Sequence, residues 1–254
     1  MVIARGHSVV IYLIVLFATV PTPIGCLFSQ KDKMTASSPN DHWAAIRVFA
    51  PDAVLRLNPD NGTILFLKAK NLFDIKNETL PNAKTPAAIA LSFIDRYKAQ
   101  FKLKQPQDEL KCLSATTDDL GLTHVRFQQI YQGIPVWGAE VNVHLNRNNI
   151  IYLVQGRYIP TPNHIRLQPS LNSHEALECV LKEIGSQKVN KDQSAIELII
   201  FSKSTQRAAL AYKVTVPGWI YFVDAVDGCI VNRLPARHTN HLEILPKTVH
   251  PGGK

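Results

Sequence analysis

The sequence predicts an α+β protein built as two small modules, each an antiparallel sheet covered by one helix. Three observations carry this. Ile89, Phe93, Tyr97 and Phe101 recur every four residues and draw an apolar stripe along one helix face. Val125 and Phe127 alternate with Arg126 and Gln128, and Val141, Val143 and Leu145 alternate with Asn142, His144 and Asn146. That period of two describes strands with one dry and one wet face. A second stripe, Leu177, Val180, Leu181 and Ile184, precedes another group of strands that closes on an Asp-Gly turn.

The elements follow in order. Asn58–Gly62 is a turn cluster, and Ile64–Leu72 is the strand that leaves it. Thr85 is placed to cap a helix, with Pro86 at the first helical position, where a missing N–H costs nothing. Asp118–Gly121 turns into the paired strands, and Asn146–Asn149 turns into Ile150–Val154. The helix is expected to cover the dry face of this meander. Pro160, Pro162 and Pro169 mark a linker, and Asn172 with Glu175 has the form of a capping box for a helix ending at Gly185. Strands are expected over Ile196–Phe201, Ala208–Val216, Trp219–Ala225 and Cys229–Leu234.

Around these lie segments of other kinds. Residues 1–25 read as a signal peptide: Arg5 gives the basic start, and Val9–Val20 is an apolar run too short to span a bilayer comfortably. Two exits compete. Pro23-Ile24-Gly25-Cys26 resembles a bacterial lipoprotein box in which Cys26 carries the lipid, with Pro23 in place of the usual leucine. Release as a soluble protein around Gly25–Gln30 is the other. A polar leader (26–41), a first module (42–162), a second (163–235) and a flexible tail (236–254) complete the division. The expected location is outside the cytoplasm: periplasmic, outer-membrane lipoprotein or secreted.

Composition narrows the functions. With 46% hydrophobic and 19% charged residues, the 254-residue chain can bury a core and does not read as disordered. Its formal charge is +8, spread without a Lys/Arg run or an aromatic platform, which argues against a nucleic-acid reader. Cys112, Cys179 and Cys229 form no C-x-x-C pair. One disulfide with one free thiol, or three buried free cysteines, both fit that spacing.

The stretch Thr123–Pro162, centred on QQIYQGIPVWGAEVNVHL, resembles the pro-region of thermolysin-like zinc metalloproteases, the fungalysin/thermolysin-type propeptide. The order of helix, acidic-glycine turn, H-V-R-F-Q-Q strand, G-I-P-V-W-G bend and paired strands follows that pattern over about Ala83–Pro162. Trp137 stands where a phenylalanine or similar aromatic is expected, and its bulk reads as a core plug. LAYKVTVPGWIYFVDAVDGCIVNRL resembles the PepSY repeat, so the second module is expected to be cystatin-like, a helix against a small antiparallel sheet.

The resemblance implies binding without catalysis. No H-E-x-x-H occurs in the chain, so no catalytic, metal or cofactor residue is expected. His174-Glu175 starts like a zinc-protease helix, but Glu178 stands where the second histidine would be, and helix capping accounts for the acids. His238, His241 and His250 read as solvated tail residues. The implied partner is a thermolysin-like zinc metalloprotease catalytic domain, which such a pro-region inhibits and helps to fold. The cleft-occupying segment would be the tail from Pro235, with Arg237, His238, His241 and Pro246 as its candidate contacts. Two alternatives stand beside this: a truncated protease precursor with no activity of its own, and an envelope interaction protein with an unrelated ligand.

Overall fold

The computed structural model describes residues 44–74, 84–185, 194–204 and 207–236. Cys26, Arg237, His238, His241, Pro246 and His250, and with them the signal, leader and tail segments up to residue 43 and from 237, lie outside the described residues. The described residues belong to one compact unit, Asp41–Lys254.

A short helix α1 (Ala44–Phe49) and strand β1 (Val54–Leu57) lead to the long strand β2 (Ile64–Asp74). The turn before β2 closes as its residues dictate: Asn58 Oδ1 accepts from Asp60 N at 2.9 Å, and Gly62 takes φ +68°. Helix α2 (Pro86–Arg96) starts on Thr85, whose hydroxyl accepts from Ala88 N at 3.2 Å. A break at Tyr97 separates it from α3 (Lys98–Phe101), and Lys102 ends that turn with φ +56°. The stripe read as one helix therefore spans two. It still works as a single face, with Ile89, Phe93, Tyr97 and Phe101 all 5% exposed or less. Phe93 packs against Phe73 at 5.5 Å and Phe101 at 5.9 Å between ring centroids.

Helix α4 (Pro106–Glu109) runs into β3 (Leu110–Thr117), followed by β4 (Thr123–Tyr131), β5 (Ile134–Leu145) and β6 (Ile150–Arg157). All neighbours pair antiparallel, giving a first sheet in the order β1-β2-β6-β5-β4-β3. Helix α5 (Ser173–Ile184) carries the capping box on Asn172 and Glu175. Strands β7 (Ala195–Ser204), β8 (Arg207–Val216), β9 (Trp219–Asp224) and β10 (Ile230–Pro235) then form an antiparallel meander. The fold is mixed α+β, mostly sheet. One core runs through it, with Phe93 and Phe127 of the first half and Val180, Leu181 and Val214 of the second in the same buried cluster.

The two sheets meet in β5. The reversal expected across the G-I-P-V-W-G bend comes earlier, at Gln132 and Gly133, with φ of +46° and +84°. Two positive φ values in a two-residue loop suit the right-handed twist of the strands they join. Beyond this hairpin, Ile130 faces Pro135 and Gln128 faces Glu140, so Val136–Ala139 bow out opposite Gln129. Gly138, at φ +66°, makes the bow feasible. At its crest Val136 bridges in parallel to Ile200 of β7.

Trp137 is not the core plug expected of it. It is half-buried and covers the outer face of the second sheet, 5.3 Å from the ring of Phe222, in a small cluster with Ile199, Phe201 and Ala211. The bow carries the side chain away from the helix-covered face, so the ring closes the joint between sheets.

Candidate functional site

Three surfaces carry more than packing requires. The first is the bow itself. Gln128 Nε2 donates to the carbonyls of Val136 and Ala139, both at 2.8 Å, and so occupies acceptors that leaving the ladder had freed. Gln129 is fully buried, donating to Ile159 O at 2.8 Å and accepting from Ile159 N at 3.0 Å. Its amide acts as a surrogate strand for the segment after β6. Thr161 Oγ1 in turn donates to Glu109 at 2.6 Å, and Glu109 also accepts from Lys104 N and Gln105 N. These side chains fix the exit of the first sheet into the second. Sequence reading used Gln128 only as a polar beat and missed both roles; a pair of glutamines in an otherwise alternating strand is the signal that was there.

The second surface is the wet face of β4, β5 and β6. His124 and His144 sit directly opposite in register. Their Nδ1 atoms are 2.6 Å apart, and His124 Nε2 lies 3.1 Å from Asp118 Oδ2. With one proton in the Nδ1 contact and His124 turned to Asp118, His144 Nε2 remains buried without a partner. Burial, then the nearby His124, holds His144 below its ordinary pKa. Asp118 is held low by the hydrogen bond from Leu122 N first and by His124 second. Burial raises the Tyr152 hydroxyl, whose ring lies 6.3 Å from His144. Arg126 forks onto Glu140 farther along the same face. No group of three or more His, Cys, Asp or Glu among the described residues is arranged to hold a metal. His174 and Glu178 lie 3.7 Å apart as an exposed pair on α5.

The third surface comprises the open edges. Among the described residues strand β3 pairs with β4 alone, and from Lys111 to Thr117 it is exposed. Strand β10 closes the second sheet at the other end of the strand order. There Pro235 lies opposite Trp219, Arg233 stacks over the Trp219 ring at 5.6 Å, and Leu234 is exposed beside them. Pro235 is the one candidate tail contact inside the described residues, and it sits on a strand edge. Unpaired edges present ready rows of backbone donors and acceptors. No described helix is long and apolar enough to cross a membrane.

Comparison with known proteins bears on the first two surfaces. Residues 108–158 match the Fungalysin/Thermolysin Propeptide Motif, which here begins in α4 and ends on the buried Tyr158. Thermolysin of Alicyclobacillus acidocaldarius subsp. acidocaldarius is 30% identical over 175 residues, covering 63% of this chain and 32% of that protein. Thermostable neutral protease NprT of Geobacillus stearothermophilus is 30% identical over 164 residues, covering 57% and 29%. Bacillolysin of Brevibacillus brevis is 25% identical over 161 residues, covering 57% and 30%. The chain thus spans about a third of the length of the curated relatives it matches. Among solved structures, the Bacillus megaterium YpeB C-terminal domain aligns with 79% of this chain and 98% of its own, at 12% identity and a TM-score of 0.35. The bow, its bracing glutamines and the histidine face all fall inside a thermolysin-type propeptide motif.

Proposed function

We propose that this chain works as an exported pro-region, binding the catalytic domain of a thermolysin-like zinc metalloprotease as inhibitor and folding assistant, without hydrolytic activity of its own. The propeptide motif over β3–β6 is the observation that carries this reading. In it, the second module (163–235) is the cystatin-like PepSY unit, and β10 presents the tail to the substrate cleft. Pro235 begins that segment, and Arg237, His238, His241 and Pro246 are its candidate contacts. A peptide lying in a protease cleft hydrogen-bonds through its main chain as a substrate does, so an extended tail suits the role. Export by residues 1–25, with lipidation of Cys26 as the membrane anchor, completes the proposal. Nucleic acid has no part in it.

The test is direct. Purified protein, incapable of cleaving peptides alone, should slow a thermolysin-like protease competitively and raise the yield when the denatured protease is refolded. Deleting residues 237–254 should weaken inhibition and leave the folded unit intact. Failure to inhibit or to assist refolding of any such protease would overturn the reading, as would chelator-sensitive proteolysis by the chain itself.

A further inference from the structure

We propose that Cys179 of α5 and Cys229 of the β9–β10 turn are a disulfide-forming pair that staples the helix to the turn under oxidising conditions. The turn is tightly specified. Asp224 Oδ1 accepts from Val226 N at 2.8 Å, Asp224 N donates to Cys229 O at 2.9 Å, and Cys229 N donates to Asp227 Oδ1 at 2.9 Å. Gly228, at φ +75°, rides directly over the helix, and a β-carbon there would lie 3.2 Å from Cys179 Sγ. The next residue is Cys229, and both cysteines line one cleft of about 880 Å³ between α5 and β10. Cys179 is half-buried against the core, Cys229 is exposed, and both are reduced here. Cys112 lies on β3 in the other sheet, its thiol 3.6 Å from Ser114 O.

The chemistry needs a disulfide oxidant such as glutathione disulfide. The exposed Cys229 thiolate attacks it, forming a mixed disulfide and releasing one glutathione thiolate. The Cys179 thiolate then attacks Cys229 Sγ and expels the second glutathione. Two protein thiols lose two protons and two electrons, and the oxidant takes them up as two thiols. A hydrogen bond to Asp227 holds the Cys229 thiol above its ordinary pKa, so the first step should speed up as pH rises. The bond would fix the start of β10, the strand that runs on toward residue 237, against α5 rather than leaving it to the turn alone.

The full chain carrying Cys26→Ser and Cys112→Ser, purified reduced, would be incubated folded with glutathione disulfide and analysed by intact mass and peptide mapping. The expected product has lost two hydrogens, carries no adduct, joins the peptides of Cys179 and Cys229, and unfolds at a higher urea midpoint than its reduced form. A further Cys229→Ser change should abolish both the loss of two hydrogens and the midpoint gain. Because Cys229 is exposed, that variant keeps its fold as a control. Two separate adducts in the folded protein, or a cross-link that forms only after denaturation, would overturn the proposal.

Discussion

Replacing Trp137 with alanine tests the joint between the sheets. A fully buried aromatic truncated to alanine costs about 3–5 kcal/mol. Trp137 is only half-buried, so the upper part of that range does not apply. What remains can be assembled from its contacts. The ring pair with Phe222, at 5.3 Å and tilted, contributes about 1 kcal/mol beyond area. Lys213 Nζ, 4.9 Å over the indole, adds about 0.5–1 kcal/mol at a site this open. Lost burial against the cluster of Ile199, Phe201, Ala211 and Phe222 supplies the rest. The expected destabilisation is about 2–3 kcal/mol, measured as a fall in urea midpoint at unchanged slope.

The identity of the loss is also checkable. Trp137→Phe keeps the contact with Phe222 and gives up part of the indole's hold on Lys213, so it should recover more than half of the deficit. Lys213 is further anchored by Glu197 at 2.8 Å, so the cation stays in place to be tested. A loss below about 1 kcal/mol for Trp137→Ala would mean that the ring is a surface group and that the bow holds itself through Gln128 and Gly138. A loss above about 4 kcal/mol would restore the core-plug expectation.

Two further outcomes follow from the polar groups. Because the folded protein holds His144 below its ordinary pKa of 6.5, the unfolded chain binds the proton more readily. Stability from this group is therefore full above about pH 6.5 and is lost as pH falls below it, so urea midpoints should decline with acidification and His144→Leu should flatten that decline. An equal slope in the variant would refute the assignment. Gln129→Ala takes from the part-buried backbone of Ile159 the two hydrogen bonds that the amide makes with it, and an orphaned buried group costs about 1–3 kcal/mol; a midpoint loss within that range is expected, and one within error of zero would show that water replaces the amide.

Local features of this fold were readable because their causes are local. Thr85 and Asn172 announce helix starts through the backbone N–H groups two or three residues on, and both cap as read. Val125, Phe127, Val141 and Val143 announce strands because one face of the sheet is dry, and all are buried. Where burial gives no alternation, the signal vanishes: β3 is exposed on both faces from Lys111 to Thr117, and nothing in K-C-L-S-A-T-T marks it as a strand. The two small helices α1 and α4 are too short to show a period.

The joint and the histidine face failed to show for a different reason. Gln129 and Ile159 are 30 residues apart, His124 and His144 are 20, and Cys179 and Cys229 are 50. In each case the sequence displays the residues, but only register decides which of them meet. That register turns on the bow in β5. A strand without it would keep Val136 on the ladder with β4, leave Gln128 no freed carbonyls to bind, and turn Trp137 back toward its neighbours on β4. Gly138 is the residue that admits the bow, since its φ of +66° is strained for any side chain. The glycine that reads in sequence as the end of a bend thus decides, in three dimensions, that the two sheets share a strand.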